Sequence, residues 1–267
     1  MQRYLITCAA TVVLMYLPSR SEAQARPFVY SLLPDAPVAT VNRLSADLAY
    51  GHDVFHGLGA ENFEQRLGLL VPLRRALTLM AEAGWAPHDD ATGSDASVRG
   101  ELLARLPLRG RATLALGAGG MYDYSRTPVA LGRVVFGYTW AHTQAAANLR
   151  LEHPFSSDSG QEQRDPVDVI MTLGLSHAVN GTVRLGVESV AEDLEGLVES
   201  DEAEGGAKLM VGPSLGFAPP RSQWSALVIA GPVLHLSQSS VSGAGSGAPR
   251  DLSNSGYVVR TSVTFQW

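Results

Sequence analysis

A few reactive side chains stand close together in the sequence. His235-Leu236-Ser237 sets an imidazole and a hydroxyl two positions apart. On a strand, positions i and i+2 share a face. The imidazole could then take the hydroxyl proton and leave the oxygen nucleophilic. His52, Asp53 and His56 offer two imidazoles and a carboxylate at loose spacing, a set that could hold a metal. Residues 192–204 contain Glu192, Asp193, Glu195, Glu199, Asp201, Glu202 and Glu204 and no basic residue. Such a loop could hold divalent cations against phosphates, although a solvated acidic loop is the simpler reading. No third group is evident to orient His235, and the metal spacing is irregular. We therefore expect no enzyme, no cofactor and no metal site. The Gly-rich stretch Leu116–Gly120 opens no helix and is not a phosphate loop.

These residues must be positioned by extended elements. From residue 40 onward, apolar and polar side chains alternate with period two, the mark of a strand with unlike faces. In 181–192, Val183, Leu185 and Val187 alternate with Arg184, Gly186 and Glu188. Twelve strands are expected, near 40–51, 62–72, 75–86, 97–108, 111–123, 129–142, 144–155, 166–178, 181–192, 205–217, 224–236 and 256–267. Short links follow every even-numbered strand, including the hairpin-favouring Asn180-Gly181. Mostly longer, polar links follow the odd-numbered ones. That alternation belongs to an up-and-down meander with tight turns at one end and long loops at the other.

The distribution of charge points to a bilayer. Only 17% of residues are charged, against about 25% in ordinary soluble domains. The charges fall on one face: Arg43, Asp47, Glu64, Arg66, Glu82, Glu101, Arg105, Arg111, Arg133, Arg150, Glu152, Asp168, Arg184, Glu188, Lys208 and Arg260. We expect these sixteen to line a hollow interior, nine of them basic and seven acidic. The opposite face is apolar and would meet hydrocarbon. There a charge costs about 2–4 kcal/mol at the midplane, and a closed sheet leaves no backbone group unpaired. Trp85, Trp140, Phe265 and Trp267 are expected at the membrane interfaces, where aromatic rings are favoured. The expected fold is all-β, an up-and-down antiparallel transmembrane β-barrel of about 12 strands.

The amino end has the layout of a secretory leader. Arg3 precedes the apolar run Tyr4–Leu17, and Ala23-Gln24-Ala25 suits cleavage after Ala25. The expected organisation is a cleaved signal peptide at 1–25, a periplasmic N-terminal segment at 26–39 and the barrel at 40–267. Cys8 is the sole cysteine and goes with the leader. Removing residues 1–25 takes Arg3, Arg20 and Glu22 from totals of 20 basic and 26 acidic residues. The remaining 18 and 25 give a net charge of −7, with no basic run, which argues against nucleic acid as a partner.

With its leader, twelve strands and the alternating Tyr257–Trp267 strand ending on an aromatic residue, the chain resembles the Gram-negative outer-membrane β-barrel class. The resemblance implies location in the cell outer membrane. Its implied partners are outer-membrane lipid, lipopolysaccharide and the barrel assembly machinery, which reads the terminal strand. The last residue in that class is usually Phe, whereas Trp267 stands here. More loosely, the stretch from Gly186 to Phe217 is similar to strand pairs of transport barrels of the phenol-degradation outer-membrane family. His235-Leu236-Ser237 resembles the His-x-Ser of the outer-membrane phospholipase family, but Gln238 and Ser239 replace the Asn-Gly that follows it there. The expected function is a narrow passive channel or transporter for small solutes, the slight basic excess favouring anions. The alternatives are a sealed structural or surface-interaction barrel, and an outer-membrane lipid hydrolase.

Overall fold

A computed structural model describes residues 26–33, 41–74, 76–87, 94–122, 128–155, 167–194, 207–236 and 256–267. Twelve strands follow in order: β1 Arg43–His52, β2 Asn62–Arg74, β3 Leu77–Pro87, β4 Ser94–Leu106, β5 Ala112–Tyr122, β6 Pro128–Trp140, β7 Thr143–Pro154, β8 Asp168–Ala178, β9 Val183–Glu192, β10 Lys208–Phe217, β11 Trp224–His235 and β12 Gly256–Gln266. Each pairs antiparallel with its neighbours in sequence, and β12 closes on β1. The expected meander is therefore present, strand for strand. The closing seam sets Asp47 opposite Ser262 and Ala49 opposite Arg260. Closure removes both sheet edges, so every strand has a ladder on each side.

Side chains alternate strictly across this wall. On β1, Leu44, Leu48 and Tyr50 are exposed, whereas Asp47 and Ala49 are buried. The pairing carries that parity around the ring. Among the described strand residues, the one Asp, Glu, Lys or Arg off the inner face is Arg74, exposed at the short-turn end of β2 beyond the bulge after Pro72. The outer surface is instead a belt of exposed Leu, Val and aromatic side chains, including Leu67, Val98, Leu102, Leu173 and Leu185. This belt runs round the whole molecule, far beyond the few hundred Å² of apolar surface typical of a soluble monomer. Only hydrocarbon solvates it at no cost.

Aromatic rings gather near both rims. Trp85 and the Tyr50–Tyr257 pair, 6.1 Å apart, lie towards the long-loop end. At the short-turn end, Phe265 packs between Trp224, at 4.6 Å, and Trp267, at 5.8 Å. Trp140 stands 5.5 Å from Tyr138 beside the β6–β7 turn. The β8–β9 turn is held by Asn180, whose Oδ1 accepts from the amides of Thr182 and Val183, each at 2.8 Å.

Two further segments lie inside the ring. Residues 26–33 run through the interior, where the sequence led us to expect a segment in the periplasm. The β1–β2 connection, residues 53–61, also turns inward. Phe55 and Leu58 are 3% and 1% exposed and pack with Val29, Ile170, Val190, Met210, Ile229 and Val233. The core is therefore on the barrel axis, built by inserted chain against β8–β12.

Candidate channel interior

The inner wall has two unlike halves. From β12 through β1 to β7, the inward side chains are mainly charged and small; on β8–β11, large apolar residues share the inner face with polar and charged ones, among them Asp168, Arg184, Glu188, Glu192 and Lys208. The charged half begins where Arg260 pairs with Glu64. These residues sit on β12 and β2, on either side of β1. Ala49 lies between them in register and is small enough to be passed over. Arg66 then bonds Glu64 through Nε at 2.6 Å and Glu82 through Nη1 at 3.2 Å. Arg99 bonds the other Glu82 oxygen at 2.9 Å and lies 3.3 Å from Glu101. Arg133 takes Glu101 by both oxygens, at 2.7 Å each.

That last pair spans β5, where Gly117 and Gly119 stand in register with Arg133 and Glu101. A Cβ on Gly117 would meet Leu103, Arg133 and Glu101. Small residues under the ion pairs let charges couple across a whole strand. On β7, Arg150 pairs with Glu152, whose other oxygen lies 2.9 Å from His56 Nε2. Towards the long loops, Lys208 Nζ meets Asp193 at 2.6 Å.

The inserted segments complete the interior. The Glu188 carboxylate accepts from three consecutive amides, those of Val29 at 2.6 Å, Tyr30 at 2.9 Å and Ser31 at 3.0 Å. Asn148 accepts from the Leu32 amide at 2.7 Å and donates to its carbonyl at 3.0 Å. Ser31 and Thr172 share a hydroxyl contact at 3.2 Å. Phe28 is fully buried against Gly174, where any Cβ would collide with its ring. The Tyr30 ring lies 5.1 Å beneath the Arg260 guanidinium, a cation–π distance.

The inward β1–β2 loop is fastened from the wall as well. Arg260 donates to the Leu58 carbonyl at 2.8 Å, and the Gly57 amide donates to Glu192 at 3.3 Å. Gly59 adopts φ +128° within reach of Glu64, Arg66 and Arg260, so that position has neither the dihedral nor the space for a side chain. Burial opposes charge on His56, but the hydrogen bond and charge of Glu152, with Glu192 behind it, hold its imidazole protonated above the ordinary histidine range. Between the loop, the N-terminal segment and the charged wall remains a cavity of about 70 Å³. Six arginines line it (Arg26, Arg66, Arg99, Arg133, Arg150 and Arg260), with Asp47 and Glu82 as its acidic residues.

The structure places the residues singled out above as follows. Arg43, Asp47, Glu64, Arg66, Glu82, Glu101, Arg105, Arg133, Arg150, Glu152, Asp168, Arg184, Glu188, Lys208 and Arg260 all take inward register positions. Arg111 differs: it lies in the β4–β5 turn just before β5 and is exposed. The turn places it outside the ladder that would have aimed it inward. Arg99 was missed, although its i, i+2 relation to Glu101 marks the same face. Arg26, Tyr30, His56 and Asn148 were missed because inserted chain carries or contacts them.

The His52, Asp53 and His56 set does not assemble. His52 lies 3.3 Å from Glu61 on the outer side, while His56 points inward to Glu152, so the two imidazoles part. Ser237 and the acidic residues from Glu195 to Glu204 lie outside the described residues. So do the leader and the segment 34–39.

Solved structures share this architecture. The NanC porin superposes with a TM-score of 0.59 at 11% identity, covering 84% of this chain and 100% of that one. This is the outer-membrane porin fold. An outer-membrane channel from Pseudomonas putida F1 matches the same fold at a TM-score of 0.56 and 11% identity, over 91% of this chain and 100% of that one. The KdgM porin in complex with disordered oligogalacturonate gives 0.55 and 9%, over 85% and 99%. No family profile matches the sequence, and no curated protein matches it. At such identities the porin fold is what is shared; its use here rests on the interior just described.

Proposed function

We propose that this chain is an outer-membrane channel of narrow bore for small solutes, preferring anions. The observation that carries the reading is the pairing of an apolar outer belt with an interior cavity lined by six arginines, Asp47 and Glu82, five of the arginines being also paired with Glu64, Glu101 or Glu152 beyond the lining. A bilayer solvates the first, and the second attracts solutes of negative charge. Twelve strands enclose a bore between the side-chain-filled eight-stranded barrels and the open sixteen-stranded porins. The fifteen inward charged residues named above, with Arg99, are the proposed lining. Arg111 belongs instead to the rim. The long loops face outward to lipopolysaccharide, and the short turns face the periplasm. The terminal strand serves as the signal for barrel assembly after leader removal.

Liposome swelling tests this reading. Refolded protein should admit a small sugar acid faster than the neutral sugar of equal size. Equal rates, or none above protein-free vesicles, would remove it.

One observation favours a sealed barrel instead. Residues 26–33 and 53–61 fill the interior, and its charges are largely bonded to one another. A barrel that conducts nothing, and whose outer loops alone do the work, is the second reading; swelling at the protein-free rate supports it.

A further inference from the structure

The N-terminal segment is bonded unlike any other part of the chain. It joins no ladder, and the barrel closes without it. Its backbone is read by side chains. Glu188 collects three successive amides, and Asn148 holds both the amide and the carbonyl of Leu32. Thr172 meets the Ser31 hydroxyl, and the bare Gly174 makes a socket for Phe28. These four wall residues lie on three adjacent strands, β7, β8 and β9, with Asn148 opposite Thr172 and Gly174 opposite Glu188. This is how proteins recognise an extended peptide: fixed acceptors for main-chain N–H groups and a pocket for one anchor side chain.

We infer that the Asn148–Thr172–Gly174–Glu188 track is a peptide-binding site, with residues 28–32 of the same chain as its resident ligand. The ligand class is an extended peptide offering three consecutive N–H groups, preceded by an aromatic residue. Breaking this contact costs no sheet hydrogen bond, so the segment can leave and return while the barrel stays intact. The inference rests on the channel reading only for its consequence, which is that occupancy of the track narrows the bore.

A carboxylate gathering several N–H donors makes charge-assisted bonds, stronger than neutral ones. Glu188 therefore supplies most of the main-chain affinity. Gln keeps the shape and removes the charge. A tethered segment acts at an effective concentration on the order of mM, so a free peptide has to be tested up to that range.

The experiment uses full barrel lacking residues 26–33, refolded in detergent, and a fluorescent peptide Arg-Pro-Phe-Val-Tyr-Ser-Leu-Leu. Saturable anisotropy binding is expected, weakened at least tenfold by Glu188→Gln and by Asn148→Ala, and absent for a scrambled peptide. Gly174→Ala should weaken binding of the native peptide but not of one with Ala in place of Phe. No saturable binding to a barrel that migrates as folded, or equal binding of the scrambled sequence, overturns the inference. Binding by a barrel that conducts no ions with or without peptide leaves the site standing and refutes the channel reading alone.

Discussion

Arg133 holds Glu101 by both edges, Nε to Oε2 and Nη2 to Oε1, each at 2.7 Å, although the two residues sit on strands separated by β5. Both side chains are at least 95% buried. Such a pair is costly to halve. Removing one partner from a buried pair costs about 3–5 kcal/mol, because the other charge is left uncompensated. Arg133→Ala should lower stability by about 3 kcal/mol, discounted for water in the interior. Arg133→Lys should lose part of that through the second bond. Urea unfolding followed by tryptophan fluorescence measures both. Equal stability of Arg133→Ala and the parent would show that the pair carries nothing.

The glycine under this pair is a second point of test. A valine at Gly117 would press on Leu103 and on both partners of the pair. Gly117→Val should destabilise the barrel by about 1–3 kcal/mol, the usual cost of overpacking. Gly120→Val, whose outward Cβ meets only a carbonyl oxygen at 3.5 Å, should be close to neutral. The contrast between the two unfolding midpoints is the measurement. Similar losses at both sites would mean that strand flexibility, not space, explains these glycines.

The outer belt makes a prediction of opposite kind. Leu102 and Leu173 are exposed in mid-strand, at 46% and 43%. Arg at either position should cost about 2–4 kcal/mol in a bilayer. The same change at an exposed site of a water-soluble barrel would be nearly neutral. Folding yield into lipid vesicles, read by heat-dependent gel migration, should fall for Leu102→Arg and Leu173→Arg and not for Leu102→Val. Unchanged yield would place this belt outside the hydrocarbon.

The β1–β2 loop should loosen with alkali. Because Glu152 holds the His56 proton above the ordinary histidine range, the link to the folded state is complete at pH 6 and weakens as pH rises through the raised value. Phe55 sits beside His56 and is buried while the loop is seated. Chymotryptic cleavage after Phe55, normalised to a free peptide, should be slow at pH 6 and faster at pH 9. In His56→Gln the rate should be high and independent of pH. A flat profile in the parent would show that the imidazole does not fasten the loop.

The wall was legible in the sequence and its filling was not. Period-two alternation survives in a barrel because each strand has one lipid face and one interior face. Val183, Leu185 and Val187 against Arg184 and Glu188 could be assigned without coordinates. Arg111 failed because parity has meaning only inside a ladder, and the β4–β5 turn ends one residue later. The plug was missed for another reason. Ser31, Tyr30 and Phe28 have no periodicity to read, since an extended segment held by side chains repeats nothing. A signal was nevertheless present. Ile170, Val190 and Met210 share the parity of the charged residues on their strands, and Ile229 and Val233 that of Ser225 and His235, so large apolar side chains faced a supposedly watery interior. Apolar surface on the axis requires a cover, and residues 28–33 with Phe55 and Leu58 supply it. The His-x-Ser pair was set aside in the sequence because two residues on one face are common in any strand and chemistry needs a third group aimed at them; Ser237 lies outside the described residues.

The reversal potential across a planar bilayer under a tenfold KCl gradient tests the account most directly, with the parent and the variant lacking residues 26–33 measured side by side. Discrete current steps are predicted for both, larger in the shortened protein, with a reversal potential on the chloride side of zero that moves towards zero in Arg99→Gln. Absence of steps in both proteins, or a potential on the potassium side, would contradict an arginine-lined channel narrowed by its own amino-terminal segment.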